Sequence, residues 1–361
     1  MITGMNSRLK SISTFPPIDM RETRCLRGVR LLLALVLAAM VQNCQDSNPV
    51  TQRIELEIPL GLEADSVYIP KDNPLTREKI ELGRKLFFDK SLSADNTVAC
   101  ADCHNPLLGF ADGMAVASGI NEQKGERSTP TIINRLFSEK QFWDGRAGSL
   151  EKQVLEPIQN PIEMANTLDN VVRTLNADFQ YRKEFRRVFG TEVTIDGIAK
   201  AIASFERTLI SGNSLFDQFK KGDKNALSKS AQRGFTLFES GRVNCIACHS
   251  GPNFTNEEFK NNGAGMDMED PDLGRYTVTK NDSDRGAFKT PTLRDIVRTA
   301  PYMHDGSLRT LMGVVDFYNK GGIPNKYLSK EIRPLNLTGQ EKADLVEFLK
   351  SLGGRNTWSF L

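Results

Sequence analysis

The chain has 361 residues, 47 Lys plus Arg against 45 Asp plus Glu, and only six Cys and three His. That length allows two domains, each large enough to bury a core. A formal net charge of +2 gives no reason to expect nucleic acid or a strongly charged membrane surface as a partner, which leaves small molecules and redox proteins.

In chain order, the first element is an export signal over residues 1–44. Arg24, Arg27 and Arg30 precede an apolar run at residues 31–41, which is too short to span a bilayer. Met20 as the start would give the signal a more ordinary length. Cys44 follows the run where a lipoprotein carries its acylated cysteine, but Asn43 is not the small residue expected before it. A lipid anchor at Cys44 is therefore an alternative to plain export.

Next comes an amphipathic helix, with Leu75-Thr76 leading through Gly83 to Leu86-Phe87, and then Cys100-Ala101-Asp102-Cys103-His104. The pattern returns as Leu227-Ser228, Gly234, Leu237-Phe238 and Cys245-Ile246-Ala247-Cys248-His249, so the chain reads as a duplication. Cys-x-x-Cys-His is the attachment signature of haem c: the two thiols reach the two vinyl groups of one porphyrin, and the histidine ligates iron. Two covalently bound haem c groups are expected. The alternative is zinc, but a four-cysteine zinc site needs no histidine after each pair.

Residues 105–131 and 251–290, rich in Gly, Pro, Asn and Asp, read as ordered loops wrapping a cofactor. A helix over residues 194–209, with Ile198, Ile202, Phe205 and Leu209 on one face, closes the first unit. A second starts at Thr338, where Glu341 completes a capping box and Leu345, Phe348, Leu349 and Leu352 form a stripe. Residues 213–226 read as the linker. The expected fold is mostly α: two cytochrome c-like haem domains in tandem, 45–212 and 213–361, with long ordered loops.

Three further stretches carry a family resemblance: Gln141-Phe142-Trp143-Asp144-Gly145-Arg146, Gln159-Asn160-Pro161-Ile162-Glu163-Met164, and Thr299-Ala300-Pro301-Tyr302-Met303-His304-Asp305-Gly306. With the two haem motifs they make the chain resemble the bacterial di-haem cytochrome c peroxidases of the MauG superfamily over about residues 65–355. The resemblance implies reduction of hydrogen peroxide, with a peroxidatic haem in the first domain and an electron-transfer haem in the second. It makes Glu163 the acid/base, Gln153 its neighbour and Trp143 the aromatic ring between the haems. It also implies one Ca²⁺ between the domains, held by backbone oxygens of Thr299 and Pro301, with Ser128 where the family has an Asn.

Ligand supply assigns the roles of the two haems, because an iron reacts with peroxide only if its sixth position can open. His104 and His249 are the proximal ligands, so at most one haem can be bis-histidine. Ile120 stands where many family members carry a removable distal His, and isoleucine cannot bind iron. Tyr318 aligns with the distal ligand of the second haem, as in MauG; Met303 is the reserve ligand, and a packed aromatic is the bland alternative. His304 is left to orient a haem propionate or the interface, or to act as a distal ligand.

The sequence thus reads as a periplasmic di-haem cytochrome c peroxidase taking electrons from a small cytochrome c or a cupredoxin, either as a monomer or as a homodimer. Two alternatives stand beside it: a MauG-like oxidase that modifies side chains of a partner protein, and a di-haem electron-transfer cytochrome.

Overall fold

Eight helices of seven or more residues carry the described part of the chain: α1 Arg77–Phe87, α2 Leu168–Ala177, α3 Phe179–Phe189, α4 Ile195–Glu206, α5 Leu215–Lys221, α6 Lys229–Glu239, α7 Leu311–Lys320 and α8 Gly339–Lys350. The structure is a computed structural model and describes residues 53–356. The signal expected at 1–44, with Cys44, lies outside them. Strand content is slight: Ser211–Gly212 pairs antiparallel with Arg355–Asn356, and Phe259–Lys260 with Phe288–Lys289. Among the described residues no helix is long and apolar enough to cross a membrane.

The helix starts follow from side-chain oxygens that satisfy amides the first turn leaves free. The Lys79 amide donates to Thr76 at the head of α1 (3.3 Å), and the Ala231 amide to Ser228 at the head of α6 (3.1 Å). Thr194 accepts from the Gly197 amide before α4 (3.0 Å). Thr338 and Glu341 exchange bonds in the expected capping box before α8. Each such cap is worth about 1 kcal/mol.

α1 packs on α4, and α6 packs on α8. In each pair one glycine lets the backbones touch. A Cβ on Gly83 would lie 1.9 Å from the Ala201 carbonyl oxygen, and one on Gly234 would lie 1.9 Å from that of Asp344. The duplication in sequence is therefore a duplicated helix crossing. Leu82, Leu86, Phe87, Ile198, Ile202 and Phe205 meet in one apolar cluster, and Phe238, Leu345, Phe348 and Leu352 in a second.

Two expectations change. The closing helix ends at Glu206 rather than residue 209: Leu209 is buried but lies in the turn that leads into the Ser211–Gly212 pairing. The segment 213–226 is no linker, because it carries α5. Ser214 and Asp217 form a capping box, and Phe216 joins the second apolar cluster. Asp217 is buried against Arg294, which donates to its two oxygens at 2.5 and 3.0 Å and to the carbonyls of Gly61 (2.7 Å) and Pro252 (2.6 Å). One guanidinium thus ties the chain before α1 and the loop after His249 to α5.

Candidate cofactor and active site

Each haem motif ends in a histidine that the backbone orients. His104 Nδ1 lies 3.0 Å from the Phe110 carbonyl, and His249 Nδ1 lies 3.0 Å from that of Phe254. A carbonyl only accepts, so Nδ1 carries the proton in both rings and Nε2 keeps its lone pair. Burial pushes both imidazoles toward the neutral form that binds metal. Both carbonyls are aimed by residues in the left-handed region, Phe110 at φ 58° and Phe254 at φ 51°. The four motif cysteines are free thiols, and burial raises the pKa of each, Cys103 and Cys245 to about 12. Among the described residues no cluster of three or more His, Cys, Asp or Glu forms a metal site.

Both motifs open on one cavity of about 700 Å³. Cys103 and His104 line one part of it, and Cys245, Cys248 and His249 another. Cys100 is set deeper, packed on the first apolar cluster. Paired thiols beside an oriented imidazole, twice along one cavity, fit two haem c groups. Glu163, Gln153, Trp143, Tyr318, Ser128, Thr299 and Pro301 line the same cavity.

Glu163 stands on the His104 side, close enough to act on the Cys103 thiol, and Gln153 lines the same cavity. Asn160 Nδ2 donates to Glu163 Oε1 at 2.8 Å, yet burial outweighs this bond and raises the carboxyl above its ordinary pKa. Ile120 is buried, and its amide donates to the Glu163 carbonyl at 2.8 Å. The preceding residue has to be small, since a Cβ on Gly119 would lie 2.1 Å from the Ile162 carbonyl oxygen.

Trp143 donates from its indole nitrogen to the Ser128 carbonyl at 2.8 Å, which fixes the ring. Its own carbonyl accepts from the Lys289 amide (2.8 Å), and the Ser128 amide donates to the His304 carbonyl (2.6 Å). This reciprocal exchange exposes a longer duplication than the helices and haem motifs alone: Thr129-Pro130-Thr131 matches Thr290-Pro291-Thr292, and Trp143-Asp144-Gly145 matches His304-Asp305-Gly306. Phe142 and Met303, one residue before Trp143 and His304, both have positive φ, and the bridges Gln141↔Ala147 and Tyr302↔Leu308 span the two turns alike. The signal was present in the sequence as the repeated Thr-Pro-Thr and Asp-Gly. Arg127 reinforces the joint by donating to Asp144 (2.7 Å) and, with two nitrogens, to Asp272 (2.6 and 2.9 Å). His304 is buried and stacked on Phe288, with ring centroids 3.6 Å apart.

On the His249 side, Tyr318 comes from α7 and Met303 from the matched turn. Asn262, which sequence reasoning did not single out, donates to the Tyr318 hydroxyl (3.0 Å) and toward Met303 Sδ (3.4 Å). Burial pushes the Tyr318 phenol up to about 12.

A helix-rich chain with two thiol-pair and histidine motifs on one cavity defines a di-haem protein of the c type. A family model described as di-haem cytochrome c peroxidase matches residues 77–225. The methylamine utilization protein MauG of Methylorubrum extorquens is 44% identical over 292 residues, 80% of this chain and 82% of that one. The cytochrome c551 peroxidase of Nitrosomonas europaea is 38% identical over 78% of this chain and 81% of its own. Among solved structures, a MauG-like protein associated with microbial copper homeostasis superposes with a TM-score of 0.76 at 31% identity, covering 85% of this chain and 95% of that one. The chain belongs to the di-haem cytochrome c peroxidase and MauG family.

Proposed function

We propose that the chain is a cytochrome c peroxidase that reduces hydrogen peroxide to two waters with two electrons and two protons. The observation that carries this reading is a half-buried carboxyl, Glu163, raised above its ordinary pKa by desolvation and sharing the cavity with Cys103 and His104, while Ile120 offers no competing ligand. Haem c held by Cys100, Cys103 and His104 on this side, and by Cys245, Cys248 and His249 on the other, would supply the redox-active iron. Glu163 removes a proton from the oxygen of peroxide nearer His104 and returns it to the departing oxygen, which leaves as water. Gln153, on the same wall, orients the peroxide by hydrogen bonding. Trp143, held by Ser128 and joined through its carbonyl to Lys289, offers a polarisable ring between the two sides.

The finer points of the proposal follow from the motifs. Residues 45–212 form the peroxidatic haem domain and 213–361 the electron-transfer haem domain. His104 and His249 are the proximal ligands, and Tyr318 is the distal ligand of the second haem. Thr299 and Pro301 carbonyls with the Ser128 hydroxyl hold one Ca²⁺ as hard oxygen donors. The basic-then-apolar start of the chain fits export to the periplasm, with Cys44 as the candidate lipid anchor. A small cytochrome c or a cupredoxin is the donor, and a homodimer fits the proposal as well as a monomer does.

Tyr318 on the cavity wall favours a second reading, a MauG-like oxidase acting on side chains of a partner protein. Steady-state peroxide consumption by the two-haem protein with reduced cytochrome c separates the two. Sustained turnover at tens per second or more supports the peroxidase. Turnover no faster than that of free haem c peptides overturns it in favour of the oxidase.

A further inference from the structure

We infer that Asn262 is a positioning residue that selects Tyr318 over Met303 as the distal ligand of the second haem iron. The inference rests on the proposal that Tyr318 is that ligand, and it goes further by naming what makes the choice.

Both candidate ligands stand on the same cavity wall, and one amide addresses both of them. The orientation of that amide is fixed by its surroundings. Asn262 Oδ1 accepts from the Ala264 amide at 3.0 Å, a bond that only an oxygen can make, so Nδ2 and its two hydrogens must face Tyr318 and Met303. The backbone beneath is equally constrained. Gly263 sits at φ +89°, and a Cβ there would lie 2.2 Å from the Ile323 carbonyl oxygen. A Cβ on Gly322 would lie 2.2 Å from the carbonyl oxygen of Asn262 itself. Asn262 is thereby clamped against the chain that leaves α7, the helix that carries Tyr318. The donor and its acceptor are held by one rigid joint.

The two hydrogen bonds act in opposite directions on the two ligands. Ligation of ferric iron by Tyr318 requires the phenol to release its proton to solvent, with no electron transferred. The 3.0 Å bond from Asn262 then falls on an oxygen bearing negative charge, where a hydrogen bond is roughly twice as strong as on a neutral one. Met303 gains no charge on ligation, and its sulfur is a weak acceptor that already lies 3.4 Å from the amide nitrogen. The amide thus favours the phenolate and occupies the thioether. Without the amide, the Tyr318 oxygen loses its donor and the Met303 sulfur is left free to bind.

The test uses the full-length two-haem protein in its diferric state, with electron paramagnetic resonance and far-red absorption as readouts. The variants are Asn262→Leu, which removes the donor, and Asn262→Asp, which keeps the shape but presents an acceptor. Tyr318→Phe serves as the reference. Pyridine haemochrome content and the signal of the His104 haem report whether the fold is intact. The expected result is that both Asn262 variants lose the parent low-spin signal of the second haem, as Tyr318→Phe does. Asn262→Leu should also acquire a far-red thioether-to-iron band that is abolished by adding Met303→Leu. If Tyr318→Phe leaves the parent signal unchanged, the ligand assignment itself fails. If Tyr318→Phe changes it while both Asn262 variants keep it, the assignment stands and the selecting role of Asn262 is overturned.

Discussion

Replacing Glu163 by Gln removes a proton acceptor while keeping the shape of the pocket. Glu163 Oε1 accepts the Asn160 amide at 2.8 Å, and a glutamine oxygen can accept the same bond, so the side chain keeps its anchor. What is lost is the oxygen that takes a proton from peroxide and gives it back. One positioned acid/base contributes about 100- to 10,000-fold in rate, roughly 2.7–5.5 kcal/mol of barrier. Burial raises the carboxyl above its ordinary value, which brings its basicity closer to working pH. Initial rates of peroxide consumption with pre-reduced cytochrome c measure the loss, and pyridine haemochrome content on the same samples shows that two haems remain. A variant that retains two haems and stays within about threefold of the parent rate would refute the assignment, because no group worth even the lower limit would have been removed.

The same carboxyl sets a pH limb. Glu163 must be ionised to accept a proton, so kcat/KM should fall as pH drops through a value above the ordinary glutamate range, and the limb should vanish in Glu163→Gln; a limb that persists in that variant would belong to another group. Gly83→Ala and Gly234→Ala each force a methyl against a carbonyl 1.9 Å away. Each should destabilise by at least about 1–3 kcal/mol in denaturant unfolding, and an unchanged midpoint would mean that the helices do not cross there. Asp217→Ala leaves the buried Arg294 guanidinium without its ion-pair partner and should lower stability by about 3–5 kcal/mol, part of which Asp217→Asn with Arg294→Met restores. A loss below about 1 kcal/mol in Asp217→Ala would show that water reaches the pair.

The legible parts of the molecule were those written locally. Thr76, Ser228, Thr194 and Thr338 announce helix starts because a cap and its amide are two or three residues apart. The stripe Ile198, Ile202, Phe205 survives folding because spacing alone puts those residues on one face. Segment 213–226 was misread because its polar ends hide Ser214 and Asp217, whose partner Arg294 is 77 residues beyond Asp217. Asn262 was invisible for the same reason: its significance lies in Tyr318, 56 residues away, and Met303, 41 away. The second stretch of the duplication was overlooked because Trp143 and His304 are unlike as side chains, although their backbones follow the same turn.

The exchanged bonds from Ser128 to His304 and from Lys289 to Trp143 have the form of an isologous contact between two like subunits, here folded into one polypeptide. In a true homodimer every substitution at such a contact appears twice, and the two partners stay identical. Joined in one chain, the two sides can hold different residues at one equivalent position. An indole at 143 can face an imidazole at 304, and the junction acquires polarity. A symmetric pair of haem sites has no preferred donor and acceptor, whereas this joint can be given a forward and a reverse direction one residue at a time.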